Sequence, residues 1–265
     1  MKRWMKLLFW GLLFALVFVM LFFESKKEGN AILNLPTISI QVEGVDSFLN
    51  TEEVMNRLKT HQVFEEYQHV RELDILKAER VLDTMPEVRN VQVYKSLKGR
   101  WNIDIELVRP IARIFPRGEK SYYLDADGNK MRRSSIHTAR VLVFSGYIPD
   151  HIDAENTNLI INNDSLKSIR LLDDIYRISN YVCKDPVLQS LIGQVYCNEN
   201  HEFILIPVLG KHKIVFGKAG TEKEVEDKFE RLKVFYEEAL PFEGWNKYTE
   251  ISLKYEGQVV CRKVS

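Results

Sequence analysis

The chain has 265 residues, and its Lys and Arg together number 37, as do its Asp and Glu, so the formal net charge is zero. That balance supplies neither the basic excess of a nucleic-acid-binding surface nor an acidic tail. Hydrophobic residues make up 45% of the chain, which is enough for a packed core and argues against disorder.

Near the start, residues 7–23 read LLFWGLLFALVFVMLFF, 17 residues without a charge, an amide or a proline. Counted from Trp4 the apolar segment reaches 20 residues, interrupted only by Lys6, whose stem lets its ammonium reach the headgroups. A helix of that length spans roughly 30 Å, the thickness of a bilayer's hydrocarbon core. A signal peptidase needs small residues at its site, and here bulky Phe22 and Phe23 run into Glu24 and Ser25. The segment therefore reads as an uncleaved membrane anchor. Lys2, Arg3 and Lys6 precede it with no acid among them, so the N-terminus is expected to stay cytoplasmic and the rest to lie across the membrane.

Residues 24–35 read as a short stalk. Pro36 then opens an alternating run, Ile38, Ser39, Ile40, Gln41, Val42 and Glu43, closed by Gly44, which predicts a strand. Asn50, with Glu53 three residues on, predicts an N-cap and a short helix through Lys59. A second helix is predicted over 70–84, with Ile75, Ala78, Leu82 and Met85 on one face and Pro86 as its stop. Strands follow over 88–95 and 101–108, joined by a turn at 96–99. In the second, Trp101, Ile103, Ile105 and Leu107 alternate with Asn102, Asp104 and Glu106. Two helices covering one face of a three-stranded sheet is a stable layering. The order strand, helix, helix, strand, strand resembles that of a POTRA domain.

The next region opens with a hairpin around Asp127 and Gly128, then a strand over 140–144 and a polar loop over 151–164. A helix over 165–182 follows, capped by Asp164 or Ser165, with Leu166, Ile169, Leu172, Tyr176 and Ile178 mostly on one side. Strands are predicted over 191–197, 202–206 and 211–216. Thr221 and Glu224 form a capping-box pattern for a helix over 221–240, with Val225, Phe229, Leu232, Tyr236 and Ala239 as its stripe and Pro241 and Gly244 as its end. Strands over 247–255 and 258–263 close the chain around a turn at Glu256 and Gly257. The fold class is therefore α+β: an N-terminal transmembrane helix, then a POTRA domain, then a mostly antiparallel β-domain with packing helices.

Chemistry is sparse. The six histidines (His61, His69, His137, His151, His201 and His212) fall in no metal-ligand spacing and read as solvated surface residues. Asp125 to Gly128 has its Gly too early for a calcium loop. No nucleophile, phosphate or dinucleotide motif is present. No catalytic residue, cofactor or metal is expected, and the function reads as binding rather than turnover. Cys183, Cys197 and Cys261 are too few and odd in number for a disulfide framework and read as small buried hydrophobes, with a bridge between Cys183 and Cys197 left open.

Several local marks share one order. Val42-Glu43-Gly44 closes the first strand; Leu82-Asp83-Thr84-Met85-Pro86-Glu87-Val88 precedes Val91-Gln92-Val93; Glu106-Leu107-Val108-Arg109-Pro110-Ile111-Ala112 leaves the first region. Leu124-Asp125-Ala126-Asp127-Gly128, Ile214-Val215-Phe216-Gly217 and Ile251-Ser252-Leu253-Lys254-Tyr255 follow. Together they resemble the FtsQ/DivIB family of bacterial cell-division proteins, and Gly244-Trp245-Asn246-Lys247-Tyr248 with Gln258-Val259-Val260-Cys261 resembles its Bacteroidetes branch. The resemblance implies a tail over 1–6, an anchor over 7–23, a stalk over 24–35, a POTRA domain over 36–108 and a β-domain over 109–265. It also implies a single-pass inner-membrane scaffold, its bulk periplasmic, that links the division ring to septal peptidoglycan synthesis.

In the family the terminal strand docks FtsB, which travels with FtsL, by strand addition. Tyr255 is the implied anchor, with Glu256, Gly257, Gln258, Val259 and Val260 beside it. Alternation with Ile251 and Leu253 equally allows Tyr255 to be a core aromatic. A second edge is expected in the POTRA sheet, at residues 38–42 or 101–107. The rival reading is a POTRA-bearing accessory of envelope protein transport or assembly.

Overall fold

A computed structural model of the chain describes the backbone of residues 2–41, 49–96, 98–133, 138–154, 157–167 and 169–264, and their side chains except at 2, 3, 5–8, 21–28, 158, 161, 164 and 167. Val42, Glu43 and Gly44 of the first predicted strand, and Leu97 of the predicted turn, lie outside it. The chain divides into two compact units, Met1–Leu107 and Val108–Ser265, and each holds its own buried cluster.

The first unit opens with α1 (Lys2–Gly29). Every described side chain from 9 to 20 is exposed. Among the described residues, no helix is long and apolar enough to cross a membrane, so the transmembrane helix expected over 7–23 is not met by them.

Next come β1 (Thr37–Gln41) and α2 (Thr51–Thr60). Asn50 caps α2: its Oδ1 accepts from the Glu53 N–H at 2.8 Å, and Glu53 Oε2 accepts in return from the Asn50 N–H at 3.1 Å. The helix predicted over 70–84 is two pieces, a 3-10 turn at Val70–Glu72 and α3 (Ile75–Asp83). Asp74 separates them, because in an extended conformation its Oδ1 accepts from the Lys77 N–H and starts the helix afresh.

β2 (Val88–Lys95) and β3 (Trp101–Leu107) pair antiparallel, and β1 joins β3 in parallel, giving the strand order β1-β3-β2. The parallel pairing needs a long crossover, which α2 and α3 provide. Trp101, Ile103, Ile105 and Leu107 are all buried under these helices with Val54, Leu58, Ala78 and Leu82. In the β2–β3 turn Gly99 has φ +71°, and a Cβ there would sit 2.5 Å from the Ile32 carbonyl oxygen, so a side chain is excluded.

The second unit contains β4 (Pro110–Ile114), β5 (Tyr122–Asp125), β6 (Lys130–Met131), β7 (Leu142–Gly146), α4 (Thr157–Ile161), α5 (Asp164–Lys167), α6 (Leu172–Val182), α7 (Pro186–Leu191), β8 (Ile192–Cys197), β9 (Phe203–Pro207), β10 (Lys213–Gly217) and α8 (Glu222–Val234). A π-helical turn (Phe235–Ala239), α9 (Leu240–Glu243), β11 (Tyr248–Ser252) and β12 (Val260–Lys263) complete it. The strands form one nine-stranded sheet, ordered β12-β11-β10-β9-β8-β7-β4-β5-β6. The pairs β4–β7, β7–β8 and β10–β11 are parallel and the other five antiparallel, so the sheet is mixed.

Ile114, Phe144, Val195, Leu205, Ile214, Phe216 and Ile251 bury one sheet face against α6 and α8. The Phe229 ring of α8 lies 4.9 Å from Phe216 and stacks 5.1 Å from Tyr181 of α6.

Several elements differ from their predicted form. The loop over 151–164 holds α4, and the helix predicted over 165–182 is divided into α5 and α6, leaving Ile169 exposed. Pro186 at the start of α7 and Asp185 as its cap make a helix where none was expected. Thr221 caps α8, but Glu224 accepts from the Gly220 N–H rather than from Thr221, so the box is not closed on itself. Pro241 does not end that helix: the π turn precedes it, α9 continues through it, and Gly244 at φ +95° is the stop. His212, expected at the surface, is buried with Nε2 2.5 Å from the Tyr236 hydroxyl.

Candidate functional site

β11 enters the sheet parallel to β10, with Ile214 opposite Ile251 and Val215 opposite Ser252. The Leu253 N–H extends that pairing by donating to the Val215 carbonyl at 2.9 Å. Ile251 and Leu253 are fully buried in the core that α8 covers, and Arg231 Nη2 of α8 donates to the Leu253 carbonyl at 3.3 Å. Lys254 Nζ then donates to Glu202 Oε1 at 2.5 Å. This contact holds the Lys254 ammonium above its ordinary pKa and the Glu202 carboxyl below its own. The strand is thereby fastened just before it turns.

The turn is exposed. Tyr255 is 53% accessible, Glu256 and Gln258 are also exposed, and Gly257 takes the left-handed conformation at φ +69°. Alternation ends at Leu253, where the chain leaves the strand, so Tyr255 lies outside the core it was equally expected to join. Val259 is half-buried against that core and Val260, 44% exposed, begins β12. β12 runs antiparallel to β11, with Ser252 opposite Val260, Ile251 opposite Cys261 and Glu250 opposite Arg262.

β12 is the end strand of the sheet, and among the described residues no strand pairs with its other side. Half of its backbone N–H and C=O groups therefore face outward, ready to accept another strand. The six residues named from the sequence (Tyr255, Glu256, Gly257, Gln258, Val259 and Val260) form this turn and the first position of that edge.

In the three-stranded sheet, β1 is an end strand, with Val42 outside the described residues. Trp101 to Leu107 offers no edge: β3 is the central strand, paired on both sides. The sequence reading missed a line of charge beside the site. Lys213 of β10, Glu250 of β11 and Arg262 of β12 stand in register on adjacent strands. Lys213 Nζ is 3.2 Å and Arg262 Nη1 3.8 Å from Glu250 Oε2. No local pattern signals it, because the three residues meet only through strand pairing. Among the described residues no three His, Cys, Asp or Glu side chains gather as a metal-binding group.

The fold and this edge define a class: a small helix-covered sheet followed by a larger sheet with an open terminal strand. Residues 36–106 match a POTRA-like domain. Residues 109–262 match the family described as FtsQ/DivIB, C-terminal related. That match covers more than half of the chain, and the chain belongs to the FtsQ/DivIB family. It is by that membership a division-associated protein. No curated protein matches it.

Proposed function

We propose that the chain is a membrane-anchored scaffold of the division machinery that works by binding and catalyses nothing. Its partner at the β12 edge is the FtsB–FtsL pair, captured by strand addition with Tyr255 as anchor. The observation that carries this reading is the position of β12 at the end of the large sheet, with the exposed Tyr255 turn beside it. Anchoring rests on the apolar sequence over 7–23 and on the exposure of every described side chain from 9 to 20, an apolar surface that water solvates poorly. On this reading the N-terminus is cytoplasmic, the bulk of the chain periplasmic, and the protein joins the division ring to septal peptidoglycan synthesis.

The test is a binding measurement between the full-length chain and its own FtsB–FtsL pair. Truncation after Tyr255 is expected to abolish binding, and Tyr255→Ala to weaken it about tenfold, as for a buried aromatic anchor. Binding unchanged by both alterations would move the site away from β12. Absence of binding by the intact chain would favour the envelope-transport reading.

A further inference from the structure

The charge line ends at the outer edge with a surplus. Glu250 alone serves two cations, Lys213 and Arg262, and the Arg262 side chain is 73% exposed. Lys263 next to it is exposed as well, but on the opposite face, where its charge acts on the Glu243 carboxyl. The neighbouring positions differ in kind. Val259 and Cys261 are half-buried at the margin of the core, as are Phe235 and Tyr248, whose ring centroids are 6.1 Å apart. The edge thus presents the Arg262 cation on one sheet face and, on the other, a half-buried apolar margin that ends at Lys263.

Resting on the strand-addition reading above, we infer that the occupant of this edge is an extended segment of a partner chain with an acidic residue in register with Arg262 and an apolar residue in register with Cys261. Adjacent residues of a strand point to opposite faces. The acid therefore extends the alternation Lys213, Glu250, Arg262 by one strand, while its apolar neighbour covers Cys261 and Val259. A second copy of the chain fits poorly, since pairing β12 with itself brings the Arg262 and Lys263 charges of two strands together.

The experiment selects a displayed library of random peptides on the full-length chain and on Arg262→Glu and Arg262→Gln variants, with circular dichroism to confirm that each is folded. Amide hydrogen exchange of residues 260–263 reports whether a selected peptide pairs with β12. Wild type is expected to enrich peptides with Asp or Glu at one position and an apolar residue next to it. Arg262→Glu should switch that position to Lys or Arg, and Arg262→Gln should weaken the selected acidic peptides by up to about fivefold, the scale of one cross-strand charge pair.

Peptides that protect β12 without an acidic preference, or with one that survives Arg262→Glu, overturn the inference and leave strand addition standing. A library in which no peptide protects β12 overturns the edge reading itself, and the inference with it. Concentration-dependent protection of β12 in the chain alone makes the occupant a second copy and likewise overturns it.

Discussion

Two buried groups at the residue scale set opposing responses to acid. Arg177 donates to Asp173 Oδ2 at 2.7 Å, to Asp174 Oδ1 at 2.5 Å and to the Ala219 carbonyl at 2.7 Å, tying α6 to the segment before α8. Burial, followed by the Asp173 charge, outweighs Arg177 and pushes the Asp174 carboxyl up to about 6. The folded state then binds more protons than the unfolded one between pH ~4 and ~6, so this group favours folding as pH falls through that window. Burial pulls the His212 imidazole the other way, below its ordinary value. Its contribution is fully present above pH ~6.5 and is lost as pH falls. Urea unfolding across pH 4–8 should therefore show a steeper acid loss in Asp174→Asn, which removes the compensating gain, and a shallower one in His212→Gln. Equal slopes in all three proteins would refute both assignments.

Among the elements, local caps and ring packing carry separable shares of stability. Asn50→Ala removes the side-chain half of the α2 capping box and is expected to cost about 1 kcal/mol. Phe229→Ala opens a void between α8, α6 and β10, where the ring touches Tyr181 and Phe216, and is expected to cost about 3–5 kcal/mol. Chemical denaturation of the two variants measures both, and the large-sheet unit should lose far more than the three-stranded unit. The π turn at Phe235–Ala239 belongs to this scale too. Pro241 has no N–H to continue the helical ladder, and the wider turn before it lets the helix run on to Gly244.

For the whole molecule, the proposed anchoring makes a direct prediction. The full chain should remain in the membrane pellet after alkaline carbonate extraction, and a chain lacking residues 1–29 should move to the supernatant with its far-UV signal otherwise retained. Release of the full chain by carbonate would show that α1 does not span the bilayer, and would leave the division role to be carried by another means of localisation. That test is separate from partner binding, because β12 and α1 belong to different units.

Much of the architecture was legible because its signals are local. Alternation in Trp101, Ile103, Ile105 and Leu107, the Asn50–Glu53 box and the stripe Val225, Phe229 and Leu232 each depend on residues a few positions apart, and the structure buries or caps them accordingly. The ordered marks likewise pointed to the family to which the chain belongs. Where local signals competed, the reading slipped: Asp74 restarts a helix that periodicity ran through, and Pro241 is absorbed by a π turn rather than acting as a stop. Tertiary structure alone decided that β3 is central, that His212 is buried, and that Lys213, Glu250 and Arg262 form one line. Strand order and cross-strand register depend on which distant segments pair, and hydrogen bonding between distant strands leaves no periodicity in either of them.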